Sequence, residues 1–221
     1  MGIVNLLFIL ALLMPLVLVL IILFKQTYVQ KIFFVLAAVC LVSFASHFNV
    51  FGIPGSDKLQ PFFILLQSLG LIYLFRSVVY SSLIKQSFTV LLISFTSIVA
   101  TIYLLKEIAP FRNKIEFTQN IILFSVALLT LIELIRKQDV FIFQSSAFWI
   151  TTGCLIYYSM FIMIQITVAL DHSSSREKVE AEKNILLLII ELVRYVFYFV
   201  AITRARTIVK DNMQEVMREY D

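Results

Sequence analysis

The stretch Asn184–Ile202 reads NILLLIIELVRYVFYFVAI, and within it only Glu191 and Arg194 are charged. At 1.5 Å per residue a helix of that length extends about 28 Å, close to the ~30 Å hydrocarbon core of a bilayer. Glu191 and Arg194 stand at i and i+3, on one face of such a helix. An unpaired charge at that depth costs roughly 2.5–3.5 kcal/mol on insertion scales, so residues of this kind turn toward a bundle interior or a wet cavity. The stretch is therefore expected to be a membrane helix with one polar, inward face. Its pair either serves only to neutralise itself, or one member binds an ionic group or a proton while the other is counter-charge.

Composition extends this reading to the whole chain. Of 221 residues 61% are hydrophobic and 14% charged, and the mean hydropathy is +0.96. A water-soluble globule does not carry so little charge, which predicts an integral membrane protein. Apolar runs bounded by polar clusters predict seven spans: Ile3–Phe24, Ile32–Ile53, Pro61–Tyr80, Ser87–Leu105, Glu116–Leu134, Phe143–Leu170 and Asn184–Ile202. The first lacks the basic n-region and small-residue cleavage site of a signal peptide, so it is read as a span. None of the runs alternates as barrel strands do, and backbone groups cannot go unpaired in lipid, so helices are expected.

The predicted fold is all-α, a seven-helix bundle over residues 1–203 with an amphipathic cytoplasmic tail over 204–221. In the tail Ile208, Val209, Met213, Val216 and Met217 recur near the spacing of one helix face. That pattern fits a stop-transfer flank, or an interface for a partner or for the inner leaflet.

The net charge of +4 and the pI near 9.1 come from Lys and Arg scattered through short connectors, with no basic run of the kind nucleic acid needs. Their distribution bears on topology instead. With the N-terminus outside, ten Lys and Arg fall on the inner side and seven on the outer, Arg194 remaining in the membrane. The expectation is N-out, C-in, in the cell inner membrane.

On that orientation His47, Gln67, Asn120, Gln165 and Glu191 all fall within roughly 6–11 Å of the outer surface. Polar residues from five helices at one level predict either hydrogen bonds between helices or an outward-open ligand cavity. Trp149, Tyr157, Tyr158, Tyr195 and Tyr198 would form the floor and walls of that cavity. Near the inner side, Arg76 either snorkels to the headgroups or pairs with Glu133.

Other chemistries find no residues to carry them. Cys40 and Cys154 sit singly in apolar runs as packed thiols, and the two histidines, His47 and His172, form no metal-binding pattern. Neither a GxSxG elbow nor a phosphate-cradling glycine loop occurs, and the serines after His172 lie in a solvated loop. A retinal Schiff base would need a lysine within the last helix, where only Lys183 lies near its start. No catalytic residue, metal or cofactor is expected.

Phe148–Ser159 reads FWITTGCLIYYS, and it resembles a FWxxxGxLIYYS segment of small bacterial seven-helix membrane proteins associated with signalling modules and histidine kinases. The resemblance implies a sensor-like role. With no kinase domain in this chain, such a role requires a separate cytoplasmic partner or a larger membrane complex.

The expected function is that of a non-enzymatic, receptor-like sensor or accessory subunit. It would recognise a small or lipid-like molecule in the outer cavity and relay its state through Arg194, Arg76 and the C-terminal helix. A transporter or channel path lined by Glu191 and Arg194, a membrane enzyme acting on lipid, and a purely structural subunit stay open beside it.

Overall fold

Long uninterrupted apolar runs leave the backbone only itself to bond with, and the chain folds accordingly. The structure is a computed structural model describing residues 2–24, 31–50, 60–104, 108–137, 142–170 and 176–219. Seven helices run through them: α1 (Gly2–Phe24), α2 (Lys31–Val50), α3 (Gln60–Val78), α4 (Ser82–Leu104), α5 (Ile108–Lys137), α6 (Ser146–Leu170) and α7 (Arg176–Glu219). A 3-10 turn, Ile142–Gln144, leads into α6, and the indole of Trp149 donates to the Phe143 carbonyl at 2.7 Å to hold it there. Among the described residues there is no strand.

Each expected span overlaps one helix over most of its length, the sixth beginning in the 3-10 turn ahead of α6. α5 and α7 overrun their apolar stretches because the charged sequences at their ends remain good helix formers. Segments in four helices are long and apolar enough to cross a membrane: Ser82–Ile102, Lys114–Arg136, Ser146–Leu170 and Glu182–Arg204. The apolar portions identified in α1 to α3 are shorter, Ile9–Leu23, Phe33–Ala45 and Phe62–Val78.

Several buried and exposed hydroxyls bond to carbonyls of their own helix. Ser68 donates to the Ile64 carbonyl at 2.8 Å, Thr96 to Leu92 at 2.8 Å and Thr130 to Val126 at 2.7 Å. Such side chains need no water, which suits helices in an apolar medium.

Helix contacts close a ring in the order α1, α2, α3, α5, α6, α7 and back to α1, with the α6–α7 pair the most extensive. α4 stands outside it, packed on α3 and α5. Its inward stripe is Phe88, Phe95 and Val99, while Leu83, Val90, Ile93 and Ile98 remain exposed. The interior of the ring is filled, by Leu18 and Ile22 from α1, Leu36 and Cys40 from α2, Leu71 and Phe75 from α3, Leu123 and Val126 from α5, and Tyr158, Tyr195 and Tyr198 from α6 and α7.

Two glycines set how closely the helices approach. A Cβ at Gly153 would stand 2.6 Å from the Cβ of Phe197 and 3.5 Å from the Arg194 carbonyl oxygen, so α6 meets α7 nearly backbone to backbone. A Cβ at Gly70 would stand 2.6 Å from Cγ2 of Val39 on α2. The first obstruction is fixed to the backbone and the second is a side-chain methyl. Gly153→Ala is expected to cost about 1–3 kcal/mol of unfolding stability, and Gly70→Ala less. Unfolding in mixed micelles followed by circular dichroism checks this, and equal losses would contradict the close approach assigned to Gly153.

Candidate functional site

The α6–α7 seam carries the buried charge. Trp149 and Cys154 on α6 meet Phe197 and Tyr198 on α7, whereas Tyr157, further along α6, meets Arg194, further back on α7, so the two helices are antiparallel. Gly153 brings them together at this level, and α7 then turns Glu191, Arg194, Tyr195 and Tyr198 into the ring.

Arg194 is only 1% exposed and Glu191 6%. Arg194 Nη2 donates to Glu191 Oε1 at 2.8 Å, and the Tyr195 hydroxyl donates to the same oxygen at 2.8 Å. The guanidinium carbon lies 4.1 Å from the Tyr157 ring centroid, 5.3 Å from that of Tyr195 and 6.0 Å from that of Tyr198. All three are within the range of cation–π attraction, which strengthens where water is absent.

Aromatic faces here take the place of oxygen acceptors. Arg194 Nε and Nη1 have no hydrogen-bond partner among the described residues. The Tyr158 hydroxyl faces the guanidinium without a well-formed hydrogen bond. Tyr198 shares a 3.0 Å hydrogen bond with Cys154 Sγ, and Cys40 on α2 lies within electrostatic reach of both charges. The arrangement holds an ion pair away from the surroundings while leaving two guanidinium donors unmatched by oxygen. An anionic or carbonyl oxygen within reach would complete the set.

The other expected site residues are placed separately. Gln67 Nε2 donates to Ser43 Oγ at 3.4 Å and joins α3 to α2. Asn120 Nδ2 donates within α5 to the Glu116 carbonyl at 2.7 Å, and its neighbour Gln119 reaches the Ile64 carbonyl on α3 at 3.3 Å. Gln165 is partly buried on α6. His47 lies on α2 with its side chain outside the described residues, as are His172, its serine loop and the side chains beyond Arg204. A cavity of about 250 Å³ opens elsewhere, between α4 and α5, and none of the residues expected to line a cavity borders it.

Arg76 is exposed in the last turn of α3, where a cation suits the helix C-terminus. Glu133, 7% exposed, spends its Oε1 on backbone amides instead, accepting from Tyr80 N at 3.1 Å and Ser81 N at 2.5 Å just ahead of α4. A carboxylate in an apolar run reads in sequence as half of an ion pair. Orphan amides at a helix junction leave no sequence signal, and so this role went unanticipated. The thiol of Cys154 and the close approach at Gly153 likewise become meaningful only once α7 is laid against α6.

Among the described residues no three His, Cys, Asp or Glu side chains gather as a metal site would require. No family model, curated protein or solved structure matches the chain.

Removing one partner of a buried ion pair costs about 3–5 kcal/mol, whereas replacing both with apolar residues of similar size is near neutral. Arg194→Met is therefore expected to destabilise by about that amount, and Glu191→Leu combined with Arg194→Met to recover most of it. Tyr157→Phe should be nearly silent, and Tyr157→Leu should lose about 0.5–2 kcal/mol. Unfolding in mixed micelles measures all four variants, and a double variant as unstable as the single would sink the assignment.

Proposed function

We propose that the chain is a multi-pass membrane sensor or accessory subunit whose switch is the α6–α7 seam. The carrying observation is the sealed Glu191–Arg194 pair, with Arg194 Nε and Nη1 facing aromatic rings in place of oxygen acceptors. In the closed packing Glu191 occupies the guanidinium. A small or lipid-like molecule with an anionic group competes for it, and its binding favours a packing in which α6 and α7 have separated. A ligand shifts such an equilibrium only by its preference for one packing, and moving it from 1:99 to 99:1 takes about 5.5 kcal/mol. A desolvated oxyanion on an otherwise unmatched guanidinium is a contact available only in the open packing.

α7 connects this seam to a region beyond the apolar segment. It is one continuous helix to Glu219, and at 1.5 Å per residue its end lies about 37 Å from Arg194. On the proposed topology all seven helices span the cell inner membrane, the N-terminus is outside and the last turns of α7 reach a cytoplasmic partner. The Lys and Arg bias of the connectors supports that orientation, and helices of 23, 20 and 19 residues for α1, α2 and α3 support their spanning.

Cys154, buried beside Tyr198, reports the opening. In a Cys40→Ser background decanoate is expected to speed alkylation of Cys154. Glu191→Gln should move that response to lower decanoate concentration, and Arg194→Gln should abolish it. An alkylation rate indifferent to decanoate in all three proteins would remove the seam from any sensing role. A reporter fused after Asp221 should be active only as a cytoplasmic fusion, and activity on the outer side would reverse the topology.

A further inference from the structure

The cavity between α4 and α5 is unlike the sealed seam, being partly open and lined mostly by apolar side chains. Leu91, Phe95 and Ile102 border it from α4, and Lys114, Thr118 and Ile122 from α5. It exists because α4 stands outside the ring and touches α5 along a single stripe, Phe95 and Val99 meeting Ile115, which leaves a trough beside the contact.

Two features identify what fits. The first is length. From Leu91 to Ile102 the trough runs about 16 Å along α4, and from Lys114 to Ile122 about 12 Å along α5. Half of a ~30 Å hydrocarbon core is ~15 Å, the depth of one leaflet. The second is polarity. Lys114 and Ile102 mark the end next to the α4–α5 connection, while Leu91 and Ile122 mark the far end deep in the apolar segments. Lys114 is exposed, so a cation borders the connection end of an apolar trough one leaflet deep.

We infer that the α4–α5 trough is a binding site for an anionic phospholipid of that leaflet, one acyl chain lying between the helices and the phosphate headgroup resting on Lys114. The site lies apart from the Arg194 seam and does not depend on the role proposed there. The occupied trough would fill the gap between α4 and the ring and so fix the position of α4, which packs chiefly on α3 and α5.

The full chain, reconstituted in nanodiscs holding equal phosphatidylglycerol and phosphatidylcholine and then released into mild detergent, is weighed by native mass spectrometry. One cation near the surface contributes about 1 kcal/mol of attraction to an anionic lipid, so the wild type is expected to retain phosphatidylglycerol about fivefold over phosphatidylcholine. Lys114→Gln should bring the ratio to near parity and Lys114→Arg should restore it. Ser94→Phe with Thr118→Phe, both at exposed positions of the trough wall, should reduce retention of both lipids. Parity in the wild type, a preference that survives Lys114→Gln, or retained free fatty acid in place of phospholipid would each overturn the assignment. If the phenylalanine variant does not fold, the two Lys114 variants decide the question by themselves.

Discussion

A guanidinium shut inside an apolar bundle is the constraint around which this chain is organised. Removing a charge from water costs several kcal/mol even after relaxation, and one carboxylate at 2.8 Å offsets this only when further partners complete the site. Those partners come from two helices. Glu191 and Tyr195 are supplied by α7 itself, whereas Tyr157, closest of the three rings at 4.1 Å, belongs to α6. The ring can reach the guanidinium only if the helix backbones nearly touch, which is what Gly153 permits. The same close seam that stabilises the charge also removes it from view, so any molecule that engages Arg194 must first compete with the packing of α6 on α7.

The rest of the bundle follows from where the chain leaves the ring and returns to it. After α3 it departs into α4, and α5 then takes the place beside α3 that would complete the ring. Glu133 on α5 holds the departure point by accepting the amides of Tyr80 and Ser81. That carboxylate is a brace between the α3–α4 junction and α5, and the excursion it braces creates the trough between α4 and α5. The two unusual features of the fold, the sealed seam and the open trough, thus lie on different helices. One side of the ring is closed by charge and aromatic packing, and the other carries a loosely attached helix with aliphatic side chains turned outward.

Much of the architecture was legible in sequence because hydropathy is a property of single stretches. Each of the seven apolar runs is helical over most of its length, and the buried orientation of Glu191 and Arg194 follows from the cost of leaving charge in lipid. Relations between stretches were less legible. For Gln67 and Asn120 the sequence leaves open hydrogen bonds between helices or a shared cavity; Gln67 bonds across to Ser43 on α2, whereas Asn120 bonds within α5 to the Glu116 carbonyl. For Arg76 the sequence leaves open snorkelling to the headgroups or pairing with Glu133; Arg76 is exposed, and Glu133 turns to backbone amides.

The sequence alone determined that the chain is helical, that its helices are apolar, and that one of them carries a charge pair needing an interior. Local composition is enough for this, because solvent preference and the i to i+3 spacing of two side chains require no knowledge of neighbours. Only the tertiary structure decided which helix supplies the aromatic faces over Arg194, which glycine allows the approach, and that α4 stands outside the ring. Those outcomes depend on which surfaces meet across dozens of residues, and packing between distant segments leaves no periodic trace in the chain.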